Sequence, residues 1–345
     1  MTVLALLVGV ALVVFVCWDI VLTLFHPAAR GPLSYLGNRA TWRAIRGVSL
    51  RLLGGRGLNY AGPFAMVINL LVWVVGLWLG YALIYLPYLE SFSYDPSTPF
   101  AAKGILEALY FSGASITTGG FGDVVATGGV LRLVAIAEAA SGFGVLSSAI
   151  AFVLAVYPLI SQLRSTSLQL ADAGALELEG AARVVSRAGP SKLTAIVQDL
   201  TEDHEHLKRF PILYYFESGN REESLSTMVR GSSLLLVALT CAPSSNVEYA
   251  SVYAEMLEHV VARLLEDLER DFLGGRRRGD GPARPSAEEA RDGLRRLCAS
   301  DAPSDQDIDA EERWDRLASL LVRADMVLEA LGREHGHDAR RVLPR

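Results

Sequence analysis

Long apolar runs broken by one glycine-rich segment organise the first 160 residues. Residues 2–25 are apolar apart from Thr2, Asp19 and Thr23. This run exceeds the roughly 20 residues needed to cross hydrocarbon and lacks the basic leader and short core of a cleaved signal peptide, so it predicts a retained spanning helix. Residues 64–88 predict a second, with Trp73 and Trp78 inside it and Tyr81, Tyr85 and Tyr88 towards the far end, where an aromatic belt belongs. Residues 130–159 predict a third, long enough to tilt or kink. Between them, Lys103–Thr117 is apolar but too short to cross, as suits a re-entrant helix. The loop 89–102, with Pro96 and Pro99, is too polar and broken to span.

After residue 160 the pattern changes to amphipathic helices near 166–186, 190–210, 222–241, 246–273 and 308–331. In the clearest, Tyr249, Tyr253, Met256, Val260, Leu264 and Leu268 share a face. A helical domain over 161–273 follows, then a glycine- and arginine-rich linker at 274–287, C-terminal helices over 288–334 and a tail at 335–345.

Charge divides the chain in the same place. Of 38 acidic residues, only Asp19, Glu90, Asp95, Glu107, Asp123 and Glu138 precede residue 160. The segment 26–63 carries Arg30, Arg39, Arg43, Arg46, Arg51 and Arg56 with no acid. The positive-inside rule makes it cytoplasmic, so the N-terminus starts outside and the C-terminal half is cytoplasmic, in a multi-pass protein of the plasma or inner membrane. Tyr35, Trp42, Ile45, Val48 and Leu52 recur at near-helical spacing among the arginines, predicting an interfacial helix with Arg39, Arg43 and Arg46 towards lipid headgroups. The plainer reading is a loop that only sets topology. A sequence pI near 5.6 argues against nucleic acid as a partner. Cys17, Cys241 and Cys298 have no close spacing and indicate neither a disulfide framework nor a zinc site.

The interruption reads Leu-Tyr-Phe-Ser-Gly-Ala-Ser-Ile-Thr-Thr-Gly-Gly-Phe-Gly-Asp from Leu109 to Asp123. Glycines allow left-handed backbone, so such a run can aim successive carbonyls at one axis and replace the water around a cation. From Ala108 to Asp123 it resembles, without a gap, the pore loop of the potassium-channel superfamily, whose filter reads Thr-Val-Gly-Tyr-Gly-Asp after a pore helix often written Ala-Leu-Tyr-Phe-Ser. The resemblance implies an all-α membrane protein built as a tetrameric pore module over 64–160, with outer helix 64–88, pore helix 103–117, filter 118–123 and inner helix 130–159. The N-terminal helix 1–25 and the helical domain are additions to it. It further implies that carbonyls of Thr118, Gly119, Gly120, Phe121 and Gly122 bind permeant potassium, with Thr117 and Asp123 as support and rim.

Three departures remove hydrogen bonds behind such a filter: Phe121 replaces tyrosine, Phe111 offers no polar partner, and Ala114 stands where some members place an acid facing the rim aspartate. Gly119 replaces valine and adds backbone freedom worth roughly 0.5–1 kcal/mol per subunit, so a softer filter is expected. Glu138, costly in the membrane, needs a partner, with Ser112 and Ser115 as candidates. Asp19 is expected to hydrogen-bond Thr23 or a neighbouring helix. Gly142 and Gly144 are read as a gating hinge or as close-packing positions, and Ala155, Val156, Pro158 and Ile160 as candidates for the cytoplasmic constriction.

Elsewhere chemistry is sparse. Asp203-His204-Glu205-His206 places its histidines two apart on a helix and reads as a solvated surface. No phosphate loop, dinucleotide fingerprint or nucleophile motif occurs, so no organic cofactor and no enzyme is expected. The partners expected are the bilayer, three further copies of the chain, and a ligand or protein at the helical domain. A membrane-anchored scaffold retaining a non-conducting pore is the alternative.

Overall fold

The structure, a computed structural model, describes residues 2–25, 31–52, 56–95, 104–216, 220–242, 249–272, 289–292, 308–335 and 342. The predicted linker 274–287 and nearly all of the tail 335–345 lie outside these residues. Two compact units emerge. One comprises residues 1–43 and 63–157; the other comprises 44–62 and 158–345. The basic segment 26–63 is therefore divided between them.

In the first unit, α1 (Thr2–Phe25) and α3 (Ala61–Tyr85) are apolar on all sides, and with α5 (Gly129–Asp172) they are long and apolar enough to cross a membrane. Small residues let α1 and α3 approach closely: a Cβ on Gly9 would stand 2.6 Å from the Gly80 carbonyl oxygen. Asp19 is completely buried. Its Oδ1 accepts from the backbone N–H of Leu33 (2.7 Å), and its Oδ2 from the Ser34 hydroxyl (2.6 Å) and the Trp73 indole (2.8 Å). Asp19 thus caps α2 (Pro32–Leu52), taking up amides that the first turn of a helix leaves unpaired. Thr23 bonds Ser34 (3.0 Å) rather than Asp19.

The short apolar segment predicted as a re-entrant helix over 103–117 is α4 (Ile105–Ile116). Two short strands, β1 (Phe92–Tyr94) and β2 (Val124–Ala126), pair antiparallel with Phe92 opposite Ala126 and Tyr94 opposite Val124. Hydrogen bonds from Asp95 N to Asp123 O (2.9 Å) and from Thr127 N to Ser91 O (3.0 Å) extend this ladder at both ends. It ties the loop after α3 to the stretch after the glycine-rich segment, a link that helical patterning did not predict.

Helix α5 runs unbroken from Gly129 to Asp172 through Pro158, so the inner helix does not end at residue 159. What read as one segment over 166–186 is the end of α5, a turn, and α6 (Leu178–Arg187).

The second unit adds α7 (Pro190–Arg209), α8 (Leu225–Thr240), α9 (Ala250–Asp271) and α10 (Ile308–His335). Helix α8 is buried on nearly every side, with Met228, Leu235, Leu236 and Leu239 at its centre and the Ser233 hydroxyl turned back to the Val229 carbonyl (2.7 Å). It is therefore a core helix rather than the amphipathic one predicted. Asp203 and His204 point inward too. His204 Nε2 meets Asp267 Oδ2 at 2.8 Å, and Arg270 pairs with the same carboxylate. The solvated surface read for Asp203-His204 is thus corrected: Leu200, Asp203, His204 and Leu207 share the buried face of α7. Arg46, expected to face lipid headgroups, donates to the Arg333 carbonyl near the end of α10 (2.8 Å). Cys241 is disulfide-bonded, a pairing that sequence spacing did not reveal.

Candidate functional site

The segment after α4 is held from behind. The end of the helix is closed by Thr118 N donating to Ser115 O (3.0 Å) and by Gly119 N and Gly120 N both donating to Ala114 O (2.8 and 3.3 Å). Such bonds satisfy carbonyls that a helix C-terminus leaves unpaired. The Thr117 hydroxyl adds a bond to Gly113 O (2.6 Å). By contrast, the carbonyls of Thr118, Gly119, Gly120, Phe121 and Gly122 accept no hydrogen bond among the described residues.

The backbone alternates in hand along the same residues. Thr118, Gly120 and Gly122 have φ of +56°, +51° and +80°, while Gly119 and Phe121 do not enter the positive region. Alternation of this kind turns successive peptide carbonyls towards a common side. Glycine meets the requirement at 120 and 122 without strain; at Thr118 a left-handed L-residue costs roughly 1–2 kcal/mol. Gly119 is different. A Cβ there would stand 3.5 Å from its nearest neighbours, an ordinary contact, so neither φ nor space demands glycine.

The rim acid has a partner that the sequence reading missed. Tyr110, one turn before Ala114 on α4, donates its hydroxyl to Asp123 Oδ2 (2.7 Å), and Val124 N donates to Asp123 Oδ1 (3.1 Å). The Tyr110 ring also stacks on the exposed Phe121, 6.1 Å between centroids and 18° between planes. A tyrosine can reach an acid across a turn as a carboxyl at 114 would; its spacing of 13 residues from Asp123 gave no local signal. Ala114 contributes through its carbonyl, whatever its side chain lacks.

Behind the helix, Phe111 packs edge-on against Tyr85 (5.0 Å) and Phe92 (4.8 Å). Glu138, fully buried, accepts from the Tyr85 hydroxyl (2.8 Å). The Ser112 hydroxyl sits between Glu138 Oε1 (2.5 Å) and the Trp78 carbonyl (2.9 Å). Of the two expected partners, Ser112 of the same chain is the one brought to Glu138; Tyr85 was not foreseen. Trp78 completes the brace by donating its indole N–H to Leu109 O (2.7 Å).

On α5 the two glycines separate. A Cβ on Gly142 would fall 2.1 Å from the Ile116 carbonyl oxygen, so Gly142 admits the end of α4 by close packing. Gly144 has open space around it. Val156 and Ile160 are buried within the chain and cannot line a pore, because the i, i+4 pair shares an inward face. Phe143, Leu146, Ile150, Leu154 and Tyr157 form the exposed face instead, with Ala155 and Pro158 also exposed. Arg39 bonds the Tyr35 hydroxyl (3.0 Å), and Arg43 is exposed.

Comparison with known proteins agrees with the architecture. Residues 68–157 match the model of the family described as "Ion channel". An uncharacterized membrane protein, YdjJ, of Bacillus subtilis (strain 168) is 26% identical over 210 residues, covering 59% of each chain. The chain thus spans less than two thirds of the length of that relative. No solved structure matches. An extra apolar helix precedes the matched stretch and a helical unit follows it, and residues 68–157, which hold α3 from residue 68 on, α4, the glycine loop and the first part of α5, are similar to the ion-channel family.

Proposed function

We propose that four copies of the chain form a passive cation channel that conducts potassium through a ring built from residues 118–122. The observation that carries this reading is the division of labour in that segment: its amides are tied behind to Ser115 and Ala114, while five successive carbonyls are left without donors and alternate in backbone hand. Such carbonyls can substitute for water around a dehydrated cation only if other copies complete the ring. The exposure of the glycine loop and of the Phe143–Tyr157 face on a single chain fits that arrangement.

The basic segment 26–63 supports a cytoplasmic loop there, with the N-terminus outside and the C-terminal unit inside. The disulfide at Cys241 belongs to a class rare in reducing compartments, so side-specific cysteine labelling is the direct check on orientation.

The decisive experiment is flux from proteoliposomes containing the full chain, followed by reversal potentials under potassium–sodium bi-ionic conditions. Passive potassium flux is expected. Flux of neither ion in any condition would replace the channel reading with the scaffold one. Gly119→Val, whose Cβ would meet only ordinary contacts, is expected to raise potassium preference over sodium; an unmoved reversal potential would remove softness at 119 as a factor.

A further inference from the structure

A cavity of about 350 Å3 lies in the C-terminal helical unit, between the last turns of α5, α6 and the first half of α7. Leu170 and Ala173 of α5, Val184 of α6 and Ile196 of α7 supply an apolar wall. The volume falls within the range of small-molecule sites. Its polar groups are unevenly placed. Of its lining residues Thr166 is buried and Asp199 partly so, whereas Asp172 and Lys192 are exposed.

One turn beyond Asp199, Asp203 is completely buried and neither of its carboxylate oxygens has a hydrogen-bond partner among the described residues. The neighbouring Thr166 hydroxyl donates to the Gln162 carbonyl (3.3 Å). Burial pushes both carboxyls above their ordinary range, Asp203 to about 6; the Thr166 hydroxyl moderates the rise at Asp203, while repulsion from Glu202 on both, and from Asp199 on Asp203, adds to it. Neither Asp199 nor Lys192 forms an ion pair among the described residues.

Buried carboxylates without donors are costly, and a cation that brings its own N–H groups removes that cost. A bare metal ion is poorly served, since no group of three or more ligating side chains occurs among the described residues, and it would leave the apolar wall unused. Lys192, exposed among the lining residues, repels a second positive charge, which disfavours polyamines. We propose that this cavity binds a small organic monoamine in its ammonium form, the nitrogen held by Asp199 and Thr166 with Asp203 behind them and the apolar body laid against Leu170, Ala173, Val184 and Ile196.

Because α5 is one helix from Gly129 to Asp172, the ligand would seat on the same helix that follows the pore loop. Binding itself does not depend on whether the pore conducts, so the two can fail separately.

The test is calorimetric titration of the full chain in lipid nanodiscs with 2-phenylethylammonium, set against 2-phenylethanol, with the same body and no charge, and 3-phenylpropionate, with the opposite charge. Saturable binding of the amine alone is expected. Asp199→Asn should weaken it at least tenfold, with circular dichroism unchanged. Ala173→Leu, which fills the cavity while leaving Asp199 intact, should weaken it to a similar extent. Equal binding of the alcohol, preferential binding of the anion, undiminished binding to Asp199→Asn, or no amine binding at millimolar concentration would each overturn the proposal.

Discussion

The two units bury carboxylates in opposite ways. Asp19 and Glu138 in the first unit are fully buried and each is met by donors: three strong ones for Asp19, and the Tyr85 and Ser112 hydroxyls for Glu138. Asp203 in the second is equally buried and meets none. Hydrocarbon offers no water to rescue an unpaired polar group, so a membrane-spanning unit must saturate its acids internally. A helical unit outside the hydrocarbon can leave one poorly satisfied. Saturation therefore marks architecture in the first unit, and its absence in the second, beside the cavity lined by Asp199 and Thr166, is what motivates the ligand site proposed above.

The sharpest way to break this comparison is Asp19→Ala. It leaves the Leu33 amide, the Ser34 hydroxyl and the Trp73 indole without an acceptor at once, and each orphaned buried group costs about 1–3 kcal/mol. The loss expected is about 3–5 kcal/mol, read as a fall of many degrees in the thermal unfolding of detergent-solubilised protein. A loss under about 1 kcal/mol would mean that water already reaches the network.

Asp203→Asn should act with the opposite sign. The Asp203 carboxyl titrates at about 6 in the folded protein, against about 3.9 when unfolded. Between these values the folded state holds the extra proton, so stability falls as pH rises from about 4 to 6 and stays lowered above that. Removing the charge should add about 2 kcal/mol at pH 7.5 and add progressively less towards pH 4. Melting curves of the two proteins across that range check the sign; a gain independent of pH would assign it to something other than this carboxylate.

Tyr110→Phe is the smallest change. It deletes one hydroxyl from a clamp whose stacking on Phe121 remains, worth about 1 kcal/mol. Potassium flux should persist but decline faster during sustained conduction than in the wild type. An unchanged time course would show that the Val124 amide alone holds Asp123.

What was legible in the sequence followed from length and composition. Apolar runs place α1, α3 and α4 and the start of α5, though not its end, and glycines at 120 and 122 announce a backbone that other residues enter only with strain. Rotation about each helix axis was less legible, because an all-round apolar helix has no polar face to orient it. Val156 and Ile160 were consequently assigned to a constriction and proved buried within the chain. Partners distant in sequence were illegible for a different reason. Tyr110 and Asp123 are 13 residues apart, Asp19 and Trp73 are 54 apart, and His204 and Asp267 are 63 apart; nothing local signals such meetings. Ser112 with Glu138 is the exception, found because a membrane acid demands a donor and few hydroxyls were near.

Helix α5 has a consequence in terms of angular phase. Each residue turns an α-helix by about 100°. Within the first unit the bearing of the exposed Leu146, Ile150 and Leu154 relative to Glu138 and Gly142 is therefore counted out in residues, as teeth on a gear fix the angle of a shaft. One residue inserted between Gly142 and Leu146 would swing that exposed face by about 100°, while seven would return it to within about 20°. A flexible tether would tolerate any change in length; this helix accepts only certain integers.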